Sequence, residues 1–475
     1  MVRAISADIC VIGAGSAGLS VAAGAAQMGA RTVLIEAARM GGDCLNTGCV
    51  PSKALLAAAK AAANIRHAGR FGVQAGEPQV DFAAVHGHVH DVIAQIAPHD
   101  SVERFTGLGC TVIQARARFV DERTAEAGEQ RIRARRFVIA TGSRAAVPPI
   151  PGLADLPFFT NENIFENKVL PEHLIVIGGG PIGCEMAQAH RRLGARVSVL
   201  DLATILPKDD PDLVAVVRQA LHADGITIEE GAKILKLERR DGGVAVEVAD
   251  GDGEREIVGS HLLVAAGRRP NVEDLGLEAA GVQYSPKGIA VDQRLRTSNR
   301  RIFAAGDVAG SYQFTHLAGY HAGIVLRNAL FRLPAKVDIG ALPWVIYTDP
   351  ELAHVGLTEA QAHAEGRDDV RILTSTFAEN DRARTERATE GLIKVVVSKR
   401  GQVLGAGIVG AHAGELILPW VLAVGQRMKI GTLAGVIAPY PTFSEISKRA
   451  AGSYYTPTLF SPRTRRLVRM LRWLG

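Results

Sequence analysis

The hydrophobic pattern is clearest near the N-terminus. Asp8-Ile-Cys-Val-Ile12 is a short apolar run of strand length, ended by the turn Gly13-Ala-Gly15-Ser-Ala-Gly18. An alanine-rich stretch of helical length follows, and then a second apolar run, Thr32-Val-Leu-Ile-Glu36. Strand, tight turn, helix and strand in this order predict a parallel β-α-β unit. The pattern recurs downstream: Leu174-Ile-Val-Ile177 predicts a strand, Gly178-Gly-Gly180-Pro-Ile-Gly183 a turn, and Val197-Ser-Val-Leu-Asp201 the next strand. Residues 9–30 carry no charge and could pass for a membrane span, but five glycines divide them into a strand, a turn and a helix, so a spanning helix is not expected.

Each repeat ends in an acid, Glu36 or Asp201, lying 23 positions after its first glycine. One such glycine motif is a weak signal; two in matching contexts are a strong one. The first glycine allows the turn, the second lets the backbone approach a pyrophosphate, and the third lets the helix pack against the strand. The helix N-terminus presents N–H donors and partial positive charge to the phosphate, and the acid accepts from ribose hydroxyls. Gly13, Gly15, Gly18 and Glu36 therefore predict one dinucleotide site, and Gly178, Gly180, Gly183 and Asp201 a second. Two such sites in one chain point to FAD and a nicotinamide coenzyme. The Asp201 carboxylate suits a free 2′-hydroxyl, and no arginine occurs in Leu202-Ala-Thr-Ile-Leu-Pro207, so NADH is expected ahead of NADPH.

Composition narrows the class. At 475 residues the chain exceeds one ordinary core and suggests about three domains at ~150 residues each. Seven basic residues and no acid follow Glu445; taking those seven from the net charge of +5 leaves residues 1–445 at −2. The basic character thus belongs to the C-terminal end, and general nucleic-acid binding is not implied. Five cysteines are too few and too scattered for a secreted disulfide framework, which makes a cytoplasmic location the expectation.

Two of the cysteines carry the most specific pattern. In Gly41-Gly-Asp-Cys44-Leu-Asn-Thr-Gly-Cys49-Val-Pro-Ser-Lys53, two thiols five positions apart can close a small disulfide ring. Pro51 suits a helix first turn, and the alanine-rich run from Ser52 to Ala63 predicts the helix. Cys49 would then lie just before a helix N-terminus, where the dipole favours a thiolate.

With these motifs the chain resembles the class I pyridine nucleotide–disulfide oxidoreductases, a family that includes dihydrolipoamide dehydrogenase, glutathione reductase and mercuric reductase. Val138-Ile-Ala-Thr-Gly142-Ser143 resembles the crossing from flavin to nicotinamide domain, and Ala265-Ala-Gly267-Arg-Arg-Pro-Asn271 the return. Ile302-Phe-Ala-Ala-Gly-Asp307 resembles the second flavin motif, and Tyr347-Thr-Asp-Pro-Glu351 the start of the dimerisation domain. The resemblance implies an α/β fold with two Rossmann-like dinucleotide-binding domains and a C-terminal α+β dimerisation domain. The expected divisions are 1–150 and 271–340 for FAD, 151–270 for NAD(P), 341–460 for dimerisation and 461–475 for a basic tail. It also implies a homodimer.

The implied roles are Cys49 as the thiolate against the flavin and Cys44 as the thiol that meets the substrate. Lys53 and Glu185 would form an ion pair near the flavin, and Asp307 would hold the ribityl chain. Gly142 would belong to the FAD site and Gly267 to the NAD site. A helix starting near Phe314-Thr-His316 would point at the flavin, with His316 or His321 against the cofactor or simply packed. Thiol-handling members carry a His-Pro-Thr histidine near the C-terminus; this chain has Tyr440-Pro-Thr-Phe-Ser-Glu445. A phenol with pKa near 10 is a poor proton shuttle beside imidazole, so lipoamide or glutathione exchange should be slow. Mercuric reductases have a tyrosine in this region, but their C-terminal cysteine pair is missing here and no N-terminal metal-binding domain is expected. No resident metal site is expected either.

The resulting expectation is a mercuric-reductase-like enzyme of cell redox homeostasis that passes electrons from NAD(P)H through FAD to Cys44–Cys49. Its substrate would be a disulfide, a metal ion or a reactive oxidant. The alternatives are a membrane-associated quinone reductase, a dihydrolipoamide dehydrogenase and a non-catalytic binding subunit. Residues 462–475 predict a basic amphipathic helix, with Leu467, Met470, Leu471 and Leu474 on one face and Arg465, Arg469 and Arg472 opposite. Such a helix is a candidate for peripheral contact with an anionic membrane.

Overall fold

A computed structural model describes residues 3–240, 242–250 and 253–473. It divides into two compact units, one formed by residues 1–202 and 228–338 and the other by residues 203–227 and 339–475.

The first unit holds both β-α-β repeats. The strand Arg3–Ile12 lies in a parallel arrangement between Thr32–Glu36 and Gln130–Ile139, and the helix Ser16–Gln27 connects the first two strands. Cys110–Gln114 extends this sheet beyond Thr32–Glu36, and Ile302–Ala304 returns from far along the chain to pair in parallel with Phe137–Ile139. That return places the loop carrying Asp307 beside the end of the Gln130–Ile139 strand. The strands are apolar on both faces: Ile9, Cys10, Val11, Leu34, Phe137, Val138 and Ile139 are all buried, as expected of parallel strands covered on both sides.

The second repeat forms a four-stranded sheet in the order Thr227–Glu230, Arg196–Asp201, His173–Ile177, His261–Val264, with the helix Pro181–Leu193 after the glycine turn. The two crossings quoted from the sequence pair with each other: Ser143–Ala145 and Arg268–Pro270 form a two-stranded antiparallel ribbon. Gly142 and Gly267 lie at opposite ends of that ribbon: the Asn271 N–H donates to the Gly142 carbonyl at 3.0 Å and the Ala146 N–H to the Gly267 carbonyl at 3.0 Å.

The second unit is built on a five-stranded antiparallel sheet in the order Pro343–Ile346, Glu351–Gly356, Val403–Gly410, Leu392–Val397, Arg371–Thr376. Its core includes Trp420, Phe377, Ile393, Val395 and Ile408, all fully buried. The helix Pro211–Ala223, distant in sequence, belongs to this unit. Buried Lys394 joins that helix to the sheet, with Nζ 3.0 Å from Asp210, 2.7 Å from Asp212 and 2.8 Å from Glu359.

The tail helix spans Pro462–Leu471, capped by Ser461, whose hydroxyl accepts from the Thr464 N–H, and none of its residues is buried. Leu474, expected on its apolar face, and Gly475 lie outside the described residues.

Candidate active site

The dithiol loop is assembled from two helices. Cys44 lies in the short helix Gly42–Asn46, and Cys49 is the first residue of the helix Cys49–His67. The helix expected from Ser52 to Ala63 thus begins three residues earlier, and Cys49 lies within its first turn instead of before it. Gly48 takes the N-cap position without a side-chain cap, and Pro51 falls early enough that its missing N–H costs no helical bond. Both cysteines are free thiols.

Their environments differ. The Cys49 thiol is pulled down to about 6, first by a hydrogen bond from Cys44. Partial desolvation opposes this, while the Thr315 hydroxyl and Lys53 assist it. Cys44 is held well above the ordinary thiol range, because its proton is shared with the Cys49 sulfur and because it is partly buried. The Thr315 hydroxyl and Lys53 both favour negative charge on Cys49. Cys49 Sγ lies 3.5 Å from Thr315 Oγ1. Thr315 begins the helix Thr315–Ala329, which has no side-chain cap, so two helix N-termini face the same sulfur. Lys53, one turn after Cys49, donates to buried Glu185 at 2.9 Å.

A polar chain joins this loop to the second flavin motif. The Asp43 carboxylate accepts from Thr47 Oγ1 at 2.7 Å and from the Asn161 amide at 2.9 Å, and it pairs with Arg268 at 3.0 Å. Arg268 Nε donates to Ser143 Oγ at 2.9 Å, and that hydroxyl donates to Asp307 at 2.6 Å. Burial raises the Asp307 carboxyl above its usual range despite these partners. His321 is a packed histidine: its Nδ1 accepts from the Gly306 N–H at 3.2 Å, and burial lowers it to about 4.

The two glycine turns have the same geometry. A Cβ on Gly18 would lie 1.8 Å from the Gly13 carbonyl oxygen, and one on Gly183 1.9 Å from that of Gly178. Glu36 accepts from the Ala14 N–H at 2.5 Å, and Asp201 from the Gly179 N–H at 2.6 Å. Each acid thus braces its own turn with one oxygen; the second Glu36 oxygen accepts from the Ala38 N–H at 2.7 Å, and a carboxylate oxygen with a second lone pair can still accept from a ribose hydroxyl. The helices after Gly15 and Gly180 start without side-chain caps, leaving backbone N–H groups for a pyrophosphate. The space in front of Gly180 is open, and Gly42 approaches Gly15 so closely that a Cβ on Gly42 would lie 2.7 Å from the Gly15 Cα. Both cradles fit dinucleotides.

In the second unit, Tyr440 is exposed and its hydroxyl donates to Asp381 at 3.3 Å, which raises the phenol above its ordinary value. Glu445 begins the helix Glu445–Ser453 and accepts from the Thr442 N–H at 3.4 Å. The other three cysteines, Cys10, Cys110 and Cys184, are buried and stand apart from the dithiol as core residues.

Sequence reasoning gave no role to Thr315, Arg268, Ser143 or Asn161. The first three lie inside quoted motifs, but their contacts cross 125 to 266 positions of chain, so no local spacing marks them. Asn161 lies outside every motif.

A dithiol beside two dinucleotide cradles defines a flavin- and nicotinamide-dependent disulfide oxidoreductase. The family model described as pyridine nucleotide-disulphide oxidoreductase matches residues 7–322, and that of its dimerisation domain matches 342–451. The chain belongs to the class I pyridine nucleotide–disulfide oxidoreductases. It is 36% identical over 458 residues to a mercuric reductase from Streptomyces lividans, covering 94% of this chain and 96% of the relative. It is also 36% identical over 456 residues to a dihydrolipoyl dehydrogenase from Thermus scotoductus, with the same coverages. The HOCl-induced flavoprotein disulfide reductase RclA from Escherichia coli, solved as a Cu(II) complex, superposes with a TM-score of 0.85 at 27% identity, covering 94% of this chain and 99% of that one. LpdA from Mycobacterium tuberculosis superposes with a TM-score of 0.86 at 27% identity, covering 95% and 100%. The protein is an FAD-dependent NAD(P)H oxidoreductase with the family's dimerisation domain, and among the described residues no helix is long and apolar enough to cross a membrane.

Proposed function

We propose that the enzyme draws electrons from NADH and delivers them through Cys44 and Cys49 to a soft metal ion or reactive oxidant, with disulfide exchange a slower activity. Bound FAD would supply the hydride-accepting step between nicotinamide and dithiol. The protein's own part begins with Cys49, whose thiolate is stabilised by Cys44, Thr315 and Lys53. Asp307, Ser143, Arg268 and Asp43 keep the flavin-binding loop in register with the dithiol loop.

The observation that carries the substrate reading is Tyr440, exposed and hydrogen-bonded to Asp381, where a proton acceptor for the substrate-side thiol Cys44 is needed. Attack on a disulfide requires the Cys44 proton to leave, since the thiolate is the nucleophile. Thiol-handling relatives use a histidine at the position of Tyr440, and the Asp381 carboxylate holds this phenol above its ordinary pKa. Tyr440 is thus less ionised at neutral pH than an unperturbed tyrosine, and so less available to take a proton. A soft cation can capture both sulfurs and release the proton to water as it binds. The Streptomyces relative's name, mercuric reductase, supports the same direction. Lys53–Glu185 is assigned beside the flavin, Gly142 to the FAD site and Gly267 to the nicotinamide site. Tyr440 and Glu445 are assigned to the substrate approach, and a cytoplasmic location fits a dithiol that must stay reducible.

Anaerobic titration of the purified holoenzyme tests the reading. NADH should reduce it at lower concentration than NADPH, and a long-wavelength band from Cys49 thiolate against flavin should rise at two electrons per subunit. Bleaching of the flavin without that band would remove the dithiol from the pathway and favour a quinone or membrane partner.

The tail supports a second reading, peripheral contact with an anionic membrane. Every residue of Ser461–Trp473 from Pro462 onward is exposed or only partly covered, and Trp473 is 91% exposed beside a cationic face. Deleting residues 462–475 should reduce co-sedimentation with phosphatidylserine vesicles at low salt; equal sedimentation of both forms would end the idea.

A further inference from the structure

The helix Phe82–Ile96 begins at Asp81, whose carboxylate accepts from the Ala84 N–H at 3.0 Å, and it carries His86 and His90 one turn apart. Residues four apart share a helix face. The two imidazoles accordingly lie with ring centroids 4.2 Å apart. Glu166 ends the short 3-10 turn Ile164–Glu166 and meets this pair from the opposite side. One ligand atom from each of His86, His90 and Glu166 lies within 4.8 Å of the other two. Glu166 Oε2 is 3.8 Å from His90 Nε2.

We propose that His86, His90 and Glu166 form a binding site for a divalent transition ion of the Zn²⁺ or Cu²⁺ type, separate from the redox cysteines. Two imidazoles and a carboxylate suit these borderline cations, whereas Mg²⁺ and Ca²⁺ prefer oxygen ligands. Three protein ligands leave a fourth position for water. Zinc–ligand bonds of about 2.0–2.2 Å require ligand atoms about 3.4 Å apart. The three ligand atoms, within 4.8 Å of one another, would draw together on the ion by side-chain rotation.

The surroundings explain why the histidines are poised for a cation. His86 Nε2 is buried and has no hydrogen-bond partner among the described residues. An orphaned buried nitrogen is costly, and a metal or its bound water would satisfy it. His90 Nε2 also lies 3.1 Å from the Phe165 carbonyl, a contact that it gives up when Nε2, the nitrogen nearest Glu166, takes the ion. Two cations oppose the site: Arg39 stands 4.0 Å from Glu166, and Lys168 is near enough to depress His86. They limit affinity to exchangeable binding and do not block the ligands, because Arg39 is exposed and can swing away.

The position gives the ion a structural consequence. Asn161, five residues before Glu166, donates to Asp43 at 2.9 Å and to the Thr47 carbonyl at 3.3 Å, both in the dithiol loop. An ion bound by Glu166 and the two histidines would tie the helix Phe82–Ile96 to the segment that braces Cys44 and Cys49. The inference does not depend on which substrate the dithiol reduces.

The test uses untagged holoenzyme with the Cys44–Cys49 disulfide oxidised, so that the thiols cannot bind metal. After chelation and desalting, Zn²⁺ is titrated calorimetrically, and retained metal is counted after gel filtration. One equivalent per chain is expected for the parent enzyme. Glu166→Gln, at an exposed position, should weaken binding at least tenfold, and His86→Ala/His90→Ala should abolish it. An unchanged flavin spectrum and melting temperature in metal-free buffer establish that the variants are folded. Absence of binding by the parent, or equal binding by parent and Glu166→Gln, overturns the proposal.

Discussion

At the scale of single residues, the chemistry turns on two neighbouring thiols in unlike surroundings, with the Thr315 hydroxyl 3.5 Å from Cys49 Sγ and Lys53 one turn along the same helix. Cys49 is lowered to about 6 and Cys44 raised, and the largest cause in each case is the other cysteine. The sign follows directly: a depressed thiol stays ionised above its pKa and gains a proton as the pH falls through it. The long-wavelength band of the two-electron-reduced enzyme should therefore persist at neutral pH and fade as the pH drops through about 6. Thr315→Val removes the hydroxyl 3.5 Å from the sulfur. A donor to a charged acceptor contributes about 1.5 kcal/mol at the low end, so the midpoint should rise by about one pH unit. An unmoved midpoint, read from band intensity against pH, would mean that Thr315 does not donate to Cys49. The cysteine spacing was legible in sequence as a redox pair, but the identity of the second donor was not. Thr315 lies 266 positions from Cys49 and reaches it only because the C-terminal part of the flavin region folds back.

At the scale of elements, the glycine turns are the parts most completely written in the sequence. Gly18 is required because a Cβ there would lie 1.8 Å from the Gly13 carbonyl oxygen, a backbone atom that cannot move without parting the helix Ser16–Gln27 from its strand. Gly18→Ala should therefore yield protein largely without FAD, measured as the ratio of flavin to protein absorbance. Gly87→Ala is the control. Gly87 is a mid-helix glycine with open space around it, so this change should retain FAD and add about 0.5–1 kcal/mol of stability. Retention of FAD by both variants would contradict the close-packing account. The helix after Cys49 was placed correctly but started too late, since an alanine-rich run marks helix interior while the first turn, here Cys49-Val-Pro51, tolerates almost any residue that needs no N–H partner.

At the scale of the whole molecule, the chain crosses between units in ways that composition does not mark. Residues 203–227 follow the second dinucleotide repeat in sequence but join the unit built on residues 339–475. Lys394 anchors them there, almost fully buried among Asp210, Asp212 and Glu359. Lys394→Met would leave the buried Asp210 carboxylate without its cation, and breaking a buried pair costs about 3–5 kcal/mol. A chemical melt should show a loss of that size in the unit, whereas a change below about 1 kcal/mol would place the cluster among ordinary surface pairs.

The two nucleotide cradles, the dithiol and the family are all legible in the linear sequence. Each is a local device, in which a turn, a helix start or a pair of thiols lies within a few dozen residues. Tertiary structure decided what surrounds them. It set Thr315 on Cys49, ran the chain Asp307–Ser143–Arg268–Asp43 between motifs far apart in sequence, and brought Glu166 to His86 and His90. Periodicity records which face of an element is buried, but it carries no information about which distant polar group meets that face, because such a contact needs only one residue on each side and leaves no repeat to read.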